Sequence, residues 1–150
     1  MISITASEVI ARPIREVFAY AGDYRNDTAW RKGVVEMRYE GRDEPAKGVV
    51  TFEVMRSMGM KNTTVAEITE YNPVARTAFR SISGPVPCHG FREFQESAEG
   101  TTFTYVLTLE PRGVMRLLKP MLRTMFQKQV GEDVRRLKAK LEHTNLQASS

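Results

Sequence analysis

Residues 113–130 read GVMRLLKPMLRTMFQKQV, and what this stretch covers decides the fold. It carries Arg116, Lys119, Arg123 and Lys128 together with three Met, three Leu, Phe126 and a central Pro120. Such a mixture suits a membrane-surface helix, a nucleic-acid helix or a helix packed on a core. Downstream, Val130, Val134, Leu137 and Leu141 recur at spacings of four, three and four, which is one stripe of an α-helix. Asp133, Arg135, Arg136, Lys138 and Lys140 fill the other face. The spacing predicts a helix over 113–143. Pro120 removes one backbone donor, so it is either a hinge within that helix or a residue of its first turn.

Upstream, the period changes from helical to alternating. Segments 34–39, 49–58, 63–71, 75–82, 88–96 and 101–110 read as strands separated by short Gly- or Pro-marked turns, as in an antiparallel meander. The last alternates most regularly: Phe103, Tyr105, Leu107 and Leu109 share one face, Thr102, Thr104, Val106 and Thr108 the other. Before the meander, residues 2–12 read as a strand. Pro13 then opens a helix containing Ile14, Val17, Phe18 and Ala21. Gly22 stops it, and Asp23 caps a short second helix through Trp30 and Arg31. A six-strand run needs one face covered, and the C-terminal helix is the element long and apolar enough to cover it.

The chain has 150 residues, 41% of them hydrophobic and 27% charged, which fits one soluble domain over 1–146 with a short flexible tail at 147–150. No apolar run approaches a membrane span, and the N-terminus is not expected to be a secretory signal. Cys88 is the single cysteine, so there is no intrachain disulfide and a cytoplasmic location is the default. The net charge of +4 is uneven: residues 111–150 hold nine Lys/Arg against three Asp/Glu, and residues 1–110 thirteen against fifteen. The basic helix face leaves open a contact with an anionic membrane surface or partner. No standard nucleic-acid motif is present, and nucleic acid is not expected as a partner. A homodimer stays open.

Several local patterns resemble the START-like, or SRPBCC, superfamily, which includes polyketide cyclase/dehydrases and lipid-transfer proteins. They are Ile10 to Pro13 followed by Val17-Phe18, then Asp23 and Trp30, Gly84-Pro85, and Gly100 with Thr101 and Thr102. In the last helix they are Gly113, Leu117-Leu118, Pro120, Arg136-Leu137-Lys138 and Leu141-Glu142. The resemblance spans about 140 residues. It implies an α+β helix-grip fold: a curved seven-stranded antiparallel sheet wrapped around a long C-terminal helix, with two short helices between strands 1 and 2. It also implies an apolar cavity between sheet and helix that holds a lipid, polyketide or aromatic molecule, either bound only or cyclised, aromatised or dehydrated there. Fold alone does not choose between those roles.

No ready-made catalytic set is present: GxSxG, HExxH, CxxC, phosphate-binding Gly loops and EF-hands are all missing. Adjacent Cys88 and His89 point to opposite faces of a strand and cannot work as a dyad. Neither a metal nor another cofactor is expected. The expected cavity wall takes Phe103, Tyr105 and Leu107 from one strand, Phe52, Val54 and Arg56 from another, and Phe94 with Arg92 from a third. Trp30 and Val34 would close one end, and Leu118, Met121, Leu122, Met125, Phe126 and Val130 would face them from the helix. Met is flexible and polarizable, and its three occurrences in 55–60 and three in 115–125 suit an irregular ligand. Arg56, Arg80 and Arg92 interrupt apolar strand patterns, and any of them that is buried needs a carboxylate such as Glu53 or Glu93, or a ligand oxygen. For a cyclase, Arg80 or Arg92 with Tyr105 or Tyr39 would hold an enolate, and His89 or Glu53 would accept the proton.

Overall fold

The computed structural model describes residues 1–57 and 59–148, with side chains as far as His143. The chain runs β1 (Ile2–Ile10), α1 (Ile14–Ala21), a 3-10 turn (Tyr24–Asn26) leading into α2 (Asp27–Trp30), and then six strands. These are β2 (Val34–Tyr39), β3 (Val50–Ser57), β4 (Met60–Asn72), β5 (Arg76–Ser83), β6 (Cys88–Ser97) and β7 (Gly100–Leu109). A second 3-10 stretch (Gly113–Leu118) leads into α3 (Lys119–Ala148). The strands form one antiparallel sheet in the order β1-β7-β6-β5-β4-β3-β2. β1 and β2 are therefore the two edges, and α1 and α2 carry the chain from one edge to the other. This is the helix-grip architecture.

Local chemistry explains the boundaries. Pro13 precedes the first turn of α1, where its missing N–H costs nothing. Asp23 caps the following turn by accepting from the Arg25 amide at 3.0 Å. The β6–β7 turn depends on Gly100, with φ of 140°. A Cβ there would stand 2.1 Å from the Ile10 carbonyl oxygen, so glycine lets the turn lie against the end of β1. Pairing of β1 with β7 brings Ile2, Ile4 and Ile10 to the same face as Phe103, Tyr105, Leu107 and Leu109. Val17, Phe18, Trp30, Phe94, Leu122, Val130, Val134 and Leu137 complete that core. A smaller cluster of Tyr24, Tyr39, Val49 and Ile68 lies under the other half of the sheet.

In the opening stretch the structure selects one of the two roles open to Pro120 and corrects the expected role of three apolar residues. Pro120 is the second residue of α3, so it belongs to the first turn and is not a hinge within the helix. The residues inward along α3 are Leu122, Val130, Val134 and Leu137, with Phe126 half-buried. Leu118, Met121 and Met125 are exposed and form no part of the concave interior. Met121 and Met125 each precede a sheet-facing residue by one position, which turns them about 100° around the helix. Val114 and Leu117, in the 3-10 stretch, are exposed as well. α3 continues to Ala148, past the expected start of a tail at 147. Residues 149–150 of that tail lie outside the described residues, as does Met58, one of the three Met in 55–60.

Candidate functional site

The concave face of the sheet is not filled. A cavity of about 140 Å³ lies over β3–β7 and is closed on the helix side by Phe126. That is close to the size of an engineered apolar cavity that accepts benzene, about 150 Å³. Met37, Met55, Ala66, Phe79, Leu107 and Leu109 supply most of its apolar wall, and Pro85 and Val86 of the β5–β6 loop reach its rim. Tyr24, Arg31, Glu53, Arg92 and Tyr105 bring polar groups to it.

Those groups form a chain of alternating charge. α2 places Asp27 and Arg31 four residues apart, hence on one side of the helix, with Arg31 Nη1 donating to Asp27 Oδ2 at 3.0 Å. Inward alternation on β6 delivers Arg92 beneath α2. Arg92 is fully buried; its Nη1 donates to Asp27 Oδ1 at 2.9 Å and its Nη2 to Asp27 Oδ2 at 2.6 Å. Nη1 also donates to the Ala21 carbonyl at 2.9 Å, at the end of α1. On the other side, Arg31 Nη1 donates to Glu53 Oε1 from β3. The sequence Glu53–Arg31–Asp27–Arg92 therefore sums to zero charge, which is what makes its burial tolerable.

Aromatic rings surround the inner end of this chain. The Arg92 guanidinium carbon lies 4.4 Å from the ring centre of Tyr24 and 5.0 Å from those of Trp30 and Tyr105. Tyr24 is fixed in turn: its hydroxyl shares a hydrogen bond with Thr77 Oγ1 at 2.8 Å, and its amide donates to Tyr39 Oη at 2.8 Å. Tyr39 Oη donates onward to Asp23 Oδ1 at 2.7 Å. Burial pushes the Tyr24 phenol up to about 12, although Arg92 pulls the other way. Burial also raises Tyr105, against the pull of Arg31 and Arg92. For Arg31, burial pulls the value down, but facing Glu53, Tyr105 and Asp27 outweigh it and the guanidinium stays charged.

Several polar groups at the cavity have unused bonding capacity, the Thr51 and Thr64 hydroxyls among them. Tyr105 Oη, Glu53 Oε2 and Arg31 Nη2 make no hydrogen bond among the described residues. Arg92 differs. Its two Nη atoms are committed to Asp27 and Ala21, and its buried Nε has no partner and lies among aromatic rings.

The expected site residues divide accordingly. Tyr105, Leu107, Phe126 and Arg92 border the cavity. Trp30, Val34, Phe94, Phe103, Leu122 and Val130 are buried but not at the cavity: Trp30, Phe94 and Phe103 pack edge to face with one another or their neighbours as solid core. Phe52, Val54 and Arg56 lie on the opposite face of β3, whose cavity face carries Thr51, Glu53 and Met55. Outside, Phe52 is covered by the Arg38 guanidinium at 4.2 Å, which gives an aromatic ring a reason to sit on the solvent side. Arg80 is exposed opposite Glu67 on β4, and His89 faces outward with Nδ1 3.8 Å from Glu110. Neither reaches the cavity. Glu93 pairs with Arg76 on the outer face. Leu118, Met121 and Met125 are exposed on α3.

Sequence reasoning missed Met37, Ala66 and Phe79 of the apolar wall and, among the polar groups, Tyr24 and Arg31. The signal for Arg31 was Asp27 followed four residues later by Arg31 beside Trp30, a pairing that fits one turn of helix. Among the described residues no group of three His, Cys, Asp or Glu is placed to hold a metal ion, and no helix is long and apolar enough to cross a membrane.

A curved antiparallel sheet gripping a long helix, with a cavity on its concave face, defines a helix-grip protein. The chain belongs to the polyketide cyclase/dehydrase and lipid transport family, which it matches over residues 1–142. Its structure resembles TTHA0849 from Thermus thermophilus, with a TM-score of 0.80 and 24% identity over 99% of each chain. It also resembles the ZhuI aromatase/cyclase from Streptomyces sp. R1128, at 0.73 and 14% over 93% of each. A third likeness is to the di-domain aromatase/cyclase StfQ of the steffimycin biosynthetic pathway, at 0.74 and 15% over 92% of this chain and 49% of that one. At these identities the likeness is one of fold. No curated protein matches the chain.

Proposed function

We propose that the protein binds a small hydrophobic molecule bearing a carbonyl or hydroxyl oxygen. The apolar body lies among Met55, Ala66, Phe79 and Leu107, and the oxygen meets Tyr105 and Arg31. One observation carries this reading: a largely apolar cavity holds an unpartnered phenol, Tyr105 Oη, and an unpartnered guanidinium nitrogen, Arg31 Nη2. Apolar pockets with a few placed polar groups are the usual design of a ligand site. The volume suits one substituted ring; a longer polyketide or acyl chain requires Phe126 and the 85–86 loop to move. Thermal melting with acetophenone tests the reading. It should raise the melting temperature of the native protein and not that of Ala66→Leu, whose side chain fills the cavity. Equal shifts in both place the ligand elsewhere.

A second reading is favoured by Glu53 Oε2. A carboxylate at the same wall as a cation and a phenol would accept a proton from the carbon beside a bound carbonyl. Arg31 and Tyr105 would hold the resulting enolate oxygen, the first step of an aldol cyclisation or a dehydration. Deuterium exchange at the acetophenone methyl group in heavy water reads that step directly. It should be accelerated by the native protein and lost in Glu53→Gln; no acceleration leaves binding alone.

A further inference from the structure

We propose that the segment 112–128 docks the protein onto an anionic membrane surface. The inference is independent of what the cavity holds. Val114, Leu117, Leu118, Met121 and Met125 recur at helical spacing and all stand in solvent, Val114 at 78% and Leu117 at 83% exposure. A soluble surface scatters such residues singly; a contiguous stripe of five marks a contact. The stripe is flanked by Arg112, Arg116, Lys119, Arg123 and Lys128, and no acidic residue occurs between Glu110 and Glu132. None of these five cations joins an ion pair among the described residues, so their charge is not neutralised within the fold.

Charge decides between possible occupants. A second copy related by a two-fold axis would lay the same five cations against themselves, and like charges oppose that pairing. A bilayer with anionic headgroups accepts both features at once, the stripe among the acyl chains and the cations among the phosphates. Phe126, which closes the cavity, follows Met125 directly, so docking brings the helix side of the cavity to the interface.

Co-sedimentation with vesicles tests this. One set is phosphatidylcholine alone, the other an equal mixture of phosphatidylcholine and phosphatidylglycerol. The native protein should bind the mixed vesicles and not the neutral ones, and added salt should weaken the binding. Neutralising Arg116, Lys119 and Arg123 to Ser should weaken it about five-fold per cation, about a hundred-fold together. Leu117→Glu with Met121→Glu should abolish it while thermal melting stays native, since both sites are exposed. Equal binding to both vesicles, or undiminished binding by the neutralised variant, overturns the proposal. So does a concentration-dependent dimer in sedimentation that Leu117→Glu disrupts and that binds no vesicle.

Discussion

Arg92 and Asp27 meet as a bidentate ion pair with both side chains fully buried, at 2.9 and 2.6 Å, and the same Asp27 carboxylate also receives Arg31. Asp27 thus bridges two cations, of which Arg31 alone has a second carboxylate, Glu53. Asp27→Leu should strand the Arg92 guanidinium, leave Arg31 with Glu53 as its one carboxylate, and cost about 3–5 kcal/mol, the penalty for breaking a buried pair. Arg92→Met should cost less, because Arg31 still pairs with Asp27. Urea denaturation of the two variants checks the order; equal losses would mean that Arg31 does not compensate.

The tyrosines set an alkaline limit. Tyr24 is held at about 12, against an ordinary 10.0, mainly by burial, and Tyr20, Tyr39, Tyr71 and Tyr105 move in the same direction. Between pH 10 and about 12 the unfolded chain loses phenolic protons that the folded protein keeps. Stability therefore falls as pH rises through that window. Tyrosinate absorbance should rise together with unfolding in one cooperative step. A gradual rise beginning near pH 10 in protein that is still folded would show the phenols to be accessible.

Val74 holds a φ of 70° in the turn after β4, where Asn72-Pro73 precede it and the Ala75 amide bonds back to Asn72. A β-branched residue is strained there by about 1–3 kcal/mol, and asparagine tolerates that backbone region far better. Val74 is only half-buried, so little packing is lost. Val74→Asn should raise stability by about 1 kcal/mol in chemical denaturation. A loss would show that its packing outweighs its backbone strain.

The fold was legible because it rests on period and punctuation. Proline before α1, an aspartate cap, short marked turns and the 4-3-4 stripe after Val130 all act locally. The cavity wall was less legible for a reason seen in β3. Alternation assigns the more apolar face, Phe52 and Val54, to the interior. Where a strand lines a partly polar cavity that rule inverts, and Thr51, Glu53 and Met55 face inward. The same assumption placed Leu118, Met121 and Met125 inside. A stripe of spacing three and four identifies a helix face, but not whether sheet or solvent meets it. Arg31 was signalled by Asp27 four residues before it, but that spacing shows a pair on one helix turn and not that the pair faces Arg92 and Glu53.

The most direct test of the charged-wall cavity is calorimetric titration with two molecules of nearly one shape, acetophenone and the hydrocarbon α-methylstyrene, into the native protein and Arg31→Met. The native protein should prefer the carbonyl compound, and the ratio of affinities should fall about ten-fold or more in the variant, the worth of a hydrogen bond to a charged group. An unchanged ratio, or no binding of either molecule to the native protein, would contradict the account.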